Sequence, residues 1–323
     1  MRPSVDGASR IDFARLTILT QLAATRVDRR VEVVVHRQQS NPNTLLRHTE
    51  RVTAVVARSS DEYTEPRAIA HHVTMRLVSD SGIARTPEAL RLASRIVFQH
   101  GDPLGLFAFR FADTHAHALI ESSRAEAGRF AWMTETALHK RMRLRVPFER
   151  CRIRPIESER HLFHSLRYVF RQEDHHGTAF DLAHDGSSLP DLLGMRMLGA
   201  NVNARVRRRL TRLTRETLLE WLQAADLDAV DCNLALLEES AAAAWGVSDL
   251  RGATAAHHFA RRTAVHLFDR LSSGEKIAKL LPLPRRSVAR YRAEIVAPAE
   301  LRAGELQLRM RSLLKARAGV PFA

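Results

Sequence analysis

Hydrophobic and polar positions alternate with two periods along this chain, and the changes between them outline its elements. Residues 30–36 (RVEVVVH) and 51–58 (RVTAVVAR) are rich in β-branched residues and read as strands, with turn chemistry at Ser40-Asn-Pro-Asn43 between them. From Ile69 the pattern predicts a strand over 69–78, a helix over 87–100, a strand over 105–112 and a further strand through Asp113-Thr-His-Ala-His117. A helix over 124–143, a short extended piece at 152–155 and a helix over 161–173 follow. Thr86-Pro87-Glu88 is a good helix start, with threonine as cap and proline at the first helical position.

The last of these helices, HLFHSLRYVFRQE, is strongly two-sided. Leu162, Phe163, Leu166, Val169 and Phe170 share one side at the 3.6 period, whereas Tyr168 points the other way. Gln172 lies one turn beyond Tyr168, and His161 and His164 share that polar side. In the preceding strand, His115 and His117 project from one face, a natural pair of metal ligands. A chain with 16 histidines in 323 residues yields about one His-x-His pair by chance, so order and context carry the argument.

Strands alternating with helices in so short a segment predict an α+β fold, with helices against one antiparallel sheet. Beyond Gly177 the composition changes. Asp185-Gly-Ser-Ser-Leu-Pro190 reads as a loop, and residues 201–215 carry Arg205, Arg207, Arg208, Arg209, Arg212 and Arg215 with no acid, a helix suited to phosphates or to a solvated linker. Helices are predicted over 234–244, 254–271, 274–281 and 285–295. The expected organisation is an N-terminal extension (1–65, a β-hairpin), a first domain (66–182), a basic helical linker (183–232), an all-α domain (233–298) and a helical tail (299–323).

Composition narrows the class of function. The net charge of +14 calls for a polyanionic partner, with nucleic acid foremost. All but Lys140, Lys276, Lys279 and Lys315 of the 50 basic residues are arginine. Cys151 and Cys232 form no CxxC, which excludes a disulfide framework and a cysteine-built zinc site. No segment approaches ~18 uninterrupted apolar residues, so the expectation is a cytoplasmic protein with no membrane partner, a monomer or a homodimer.

Pro66-Arg67 with Ala70-His-His-Val-Thr-Met-Arg76, the His115-x-His117 pair and the Arg167-Tyr168 helix occur in an order that resembles the single-tyrosine HUH transposases, especially the REP-associated tyrosine transposases. The resemblance covers residue 66 to about 182, with an echo in Ser188-Leu-Pro-Asp-Leu-Leu-Gly-Met-Arg196. It implies a ferredoxin-like nuclease domain that cleaves and rejoins single-stranded DNA at a hairpin or inverted repeat. In that reading His115, His117 and Gln172 hold Mg²⁺ or Mn²⁺, which polarises the phosphodiester, and Tyr168 attacks phosphorus to give a phosphotyrosine. A free phenol titrates near pH ~10 and is a poor nucleophile at neutral pH, so the site must compensate.

Two departures touch the branch rather than the ligands: Gln172 stands where the REP-associated branch usually has Asn-Pro, and Thr114 where the family often has asparagine. Glu121 and Glu173 are further candidates to assist the metal. Trp245-Gly-Val-Ser-Asp-Leu-Arg-Gly252 and the helices after it resemble the helix-turn-helix domain of the bacterial chromosomal replication initiator. That resemblance places Arg285, Arg286, Ser287 and Arg290 near DNA.

Two other classes stay open. A catalytically inert, sequence-specific DNA-binding regulator needs only the C-terminal helices and the basic stretches. A zinc hydrolase would use the histidines, but no HExxH supplies its further ligand and base.

Overall fold

The computed structural model describes residues 68–172, 181–221, 227–272 and 277–318. The hairpin expected in residues 1–65, together with Glu173, His175 and His176, lies outside them. The fold is mixed α+β, as the alternating periods predict.

The first part runs β1 (Ala70–Arg76), α1 (Pro87–Gly101), β2 (Leu106–Ala112), β3 (His115–Ile120), α2 (Arg124–Met142) and β4 (Arg152–Ile156). The strands form one antiparallel sheet in the order β2-β3-β1-β4. Thr86 caps α1 by accepting from the Ala89 N–H at 3.2 Å, and Ser123 and Glu126 form a capping box on α2. Gly105 has φ +84°, and a Cβ there would stand 2.5 Å from the Glu121 carbonyl oxygen, so the turn into β2 requires glycine.

The pleat divides the sheet's side chains. Val73, Met75, Phe109, Phe111, Ala116 and Ala118 occupy corresponding register positions on one face, where Phe98 of α1 packs edge-on against Phe109. The opposite face carries His72, Thr74, Arg76, His115 and His117, which alternate with them along the strands.

The tyrosine helix α3 (Glu159–Phe170) follows β4, and Ser158 caps it by accepting from the His161 N–H at 3.2 Å. Leu162, Leu166, Val169 and Phe170 are fully buried, each contributing about 1.5–3 kcal/mol. Turning Tyr168 inward would expose that stripe, so burial of the apolar face fixes the phenol outward.

The described residues of 183–232, expected as a linker, pack into the same core instead. Leu189, Leu192 and Leu193 of the stretch spanning α4 (Leu189–Leu192), Met195, and Val202 and Val206 of α5 (Ala200–Arg209) are buried with the sheet residues. Ser188 and Gly186 exchange backbone hydrogen bonds with Phe109 and Phe111, covering the outer edge of β2. After α6 (Arg215–Trp221), a second core joins Leu237 and Ala241 of α7 (Leu237–Ala244), Phe268 of α8 (Ala255–Leu271), Ile277 of α9 (Ile277–Leu280) and Val288 and Tyr291 of α10 (Arg285–Ala293). The last helix, α11 (Pro298–Ala318), expected as a tail, serves both cores: Leu306 and Met310 enter the first, Leu308 the second.

Buried charges tie these parts together. Asp185 accepts from Arg91 of α1 at 2.9 Å and from Arg311 of α11 at 3.0 Å, and Arg95 donates to the Gly246 carbonyl at 2.7 Å. Among the described residues no helix is long and apolar enough to cross a membrane.

Candidate functional site

Antiparallel register sets His115 beside Arg76 and His117 beside Thr74, and β1 sets Thr74 beside Arg152 and His72 beside Arg154 of β4. The carbonyls of the β2-β3 turn accept from Leu77 (3.0 Å to Thr114) and Ile83 (2.8 Å to Asp113), which holds the end of β3 in place. Tyr168 of α3 is 42 % exposed and reaches the same place, its ring centroid 5.5 Å from His117 and 5.9 Å from His72. The resulting cavity, of about 510 Å³, is lined by His72, His115, His117, His161, His164 and Tyr168, together with Arg76, Arg150, Arg152 and Arg154 and, among the described residues, a single acid, Glu149.

His115 and His117 stand with ring centroids 4.8 Å apart. His72 Nε2 lies 3.0 Å from His117 Nδ1, and Thr74 Oγ1 lies 3.4 Å from the same nitrogen. A cation bound through His117 must therefore use Nε2, with His72 orienting the ring from behind. Burial, then the charges of Arg154 and His161, hold the His72 imidazole down to about 4, so it is neutral at pH 7.

Gln172 stands apart from this group. It is 2 % exposed, its amide donates to the Tyr168 carbonyl at 2.9 Å, and it is not among the cavity-lining residues. The i→i+4 spacing that suggested a shared polar face is spent on a hydrogen bond back to the helix, because α3 ends at Phe170. Among the described residues no group of three or more His, Cys, Asp or Glu side chains is arranged to hold a metal ion. The donors thus fit a divalent cation in part: two imidazoles on one strand face, without the expected amide. Glu121, the other candidate helper, faces Arg208 and Arg209 at 4.0 and 3.7 Å.

The arginines expected on phosphates are placed unequally. Arg205 is turned inward, donating to the carbonyls of Leu106 and Asp102. Arg207 donates to Asn203 Oδ1 (2.8 Å) and the Leu192 carbonyl (3.4 Å), and Arg209 lies between Glu121 and Glu159. Arg208 is 75 % exposed. On α10, Arg285, Arg286 and Arg290 are exposed and Ser287 is half-buried, with the Arg290 guanidinium over the Tyr291 ring.

Sequence reasoning passed over His72, Arg76 and the arginines of the β4 segment. Their signal was present as a period of two, in His72-x-Thr74-x-Arg76 and Arg150-x-Arg152-x-Arg154. No family model matches this chain, and comparison with curated proteins and with solved structures finds no match either.

Proposed function

We propose that the protein is a single-tyrosine DNA strand-transfer enzyme of the HUH type, acting in the cytoplasm on single-stranded DNA folded into a hairpin or inverted repeat. The observation that carries this reading is the meeting of Tyr168, His115 and His117 in one arginine-rimmed cavity. The β-α-β-β-α-β order, with the sheet read as β4-β1-β3-β2, is compatible with the ferredoxin-like arrangement expected of such a domain and supports this reading.

In this mechanism the cavity arginines bind the phosphates on either side of the scissile bond. The Tyr168 oxygen forms a bond to phosphorus and the bond from phosphorus to the sugar oxygen breaks. The phenolic proton passes to solvent and the departing sugar oxygen takes one up. Because the phosphotyrosine conserves the bond, a second sugar hydroxyl attacks it and rejoins DNA without ATP. A Mg²⁺ or Mn²⁺ ion held by His115 and His117 would supply charge neutralisation at the phosphate oxygens. His72, neutral and bonded to His117, positions that ring.

A second reading, an inert DNA-binding regulator derived from such an enzyme, is favoured by one observation: Gln172 is committed to the Tyr168 carbonyl rather than to the cavity. Both readings keep α9 and α10 as a helix-turn-helix that presents Arg285, Arg286 and Arg290 to DNA.

The deciding experiment incubates the full chain with labelled single-stranded hairpin DNA and Mn²⁺ or Mg²⁺. A denaturation-resistant protein-DNA adduct, lost in Tyr168→Phe, is the expected result. An adduct that persists in Tyr168→Phe overturns the assignment of the nucleophile, and no adduct in the parent favours the regulator.

A further inference from the structure

Three arginines at the edge of the described sheet have no structural task among the described residues. Arg150, Arg152 and Arg154 alternate along β4 and the residues leading into it, all three are exposed, and all three line the Tyr168 cavity. None of them has an ion pair or side-chain hydrogen bond among the described residues, whereas Arg205, Arg207, Arg196, Arg261 and Arg311 are all engaged by protein acceptors. Like charges on one face of a strand repel, and the single acid at the cavity among the described residues, Glu149, sits 3.9 Å from Arg76 instead. A repulsive row kept beside a candidate active site is explained by an anionic ligand that neutralises it.

The geometry narrows that ligand. Alternate residues of a strand lie roughly 6.6 Å apart on a nearly straight line. A duplex winds each of its strands around a common axis, away from a straight line. A straight row suits the phosphates of a stretched single strand. The cavity it leads to, about 510 Å³, has the size of a small-ligand pocket. Among the described residues β4 is an edge strand, paired with β1 alone, and none of them lies along its outer side as a further strand.

We propose that Arg150, Arg152 and Arg154 form a phosphate rail that binds extended single-stranded DNA and leads it along β4 to Tyr168. The proposal rests on the strand-transfer reading for the identity of the DNA, but its test is independent of the chemistry.

Binding is measured on full-length Tyr168→Phe protein, with labelled oligothymidylate and a blunt duplex as probes, over a series of salt concentrations. Arg152→Ala/Arg154→Ala should lower the single-strand slope of log K against log salt by ~1.4, at ~0.7 per phosphate contact, and leave the duplex slope unchanged. Arg152→Lys/Arg154→Lys, which keeps both charges, should retain the slope. Arg150→Ala lies outside the paired strand and should lower it by ~0.7, which keeps the test open if the double variant fails to fold. An unchanged single-strand slope, an equal loss on duplex, or a parent that does not bind oligothymidylate overturns the rail. Adduct formation by the unsubstituted protein is scored separately: an adduct without the slope loss overturns the rail and keeps the enzyme, while a slope loss without an adduct keeps the rail and overturns the enzyme.

Discussion

Replacing Asp185 by alanine should unfold this protein at a markedly lower temperature while sparing the Tyr168 cavity. Asp185 is 5 % exposed and accepts from Arg91, itself 1 % exposed, and from Arg311. Removing one partner of a buried pair costs about 3–5 kcal/mol, because the remaining charge is left in a poorly solvated place. The structure favours the lower figure: Arg91 keeps the Ser248 carbonyl at 2.9 Å and Glu88 at 3.5 Å, and Arg311 keeps Glu239. A loss of about 3 kcal/mol corresponds to a fall in Tm of about 6–12 °C for a unit of this size. Thermal and urea unfolding followed by circular dichroism measure it. A double-mutant cycle with Arg311→Met should show coupling of about 0.5–3 kcal/mol, since the two side chains touch. Asp185 does not line the Tyr168 cavity, so any DNA affinity that the proposed function gives this cavity should be unchanged below the transition. A fall in Tm below ~2 °C, with no coupling, would refute the view that this buried carboxylate joins α1 to α11.

Gln172→Ala should cost about 1–2 kcal/mol through its lost bond to the Tyr168 carbonyl and leave Mn²⁺ affinity unchanged; a tenfold or larger loss in a metal titration would make it a ligand after all. Under the proposed strand-transfer function, His115→Ala/His117→Ala should abolish cleavage while leaving single-strand DNA affinity within about threefold, because phosphate contacts would carry binding; a collapse of affinity in a gel-shift titration would assign the histidines to DNA instead. Burial raises the Glu135 carboxyl from 4.5 to about 7, so the folded protein holds a proton there that the unfolded chain has lost. That contribution to stability is complete below pH ~4.5 and fades as pH rises through ~7, so Glu135→Gln should raise Tm at pH 8 relative to the parent and change it little at pH 4. Equal effects at both pH values would exclude a titrating Glu135.

Local pattern sufficed for the elements around the site. The 3.6 period of Leu162, Leu166, Val169 and Phe170 predicted both α3 and the outward face of Tyr168, because burying an apolar stripe outweighs any preference of one aromatic side chain. The alternation of His115 and His117 likewise fixed their common face, a property of the pleat alone. Cap chemistry at Thr86 set the start of α1 from sequence, and Gly105 stands where the turn into β2 needs positive φ.

What lies between elements belonged to the tertiary structure. Sequence spacing put Gln172 on the face of Tyr168, but α3 stops at Phe170, and an amide beyond a helix end satisfies the nearest carbonyl rather than a distant site. The run of arginines at 205–209 looked uniform in sequence, yet packing of α5 on β2 turns Arg205 inward to the Leu106 and Asp102 carbonyls and leaves Arg208 in solvent. Sheet order placed β4 next to β1, which brought Arg152 and Arg154 beside Thr74 and His72 across a gap of about eighty residues in the chain. Strand pairing is a long-range choice made by the whole core, so no local window contains it.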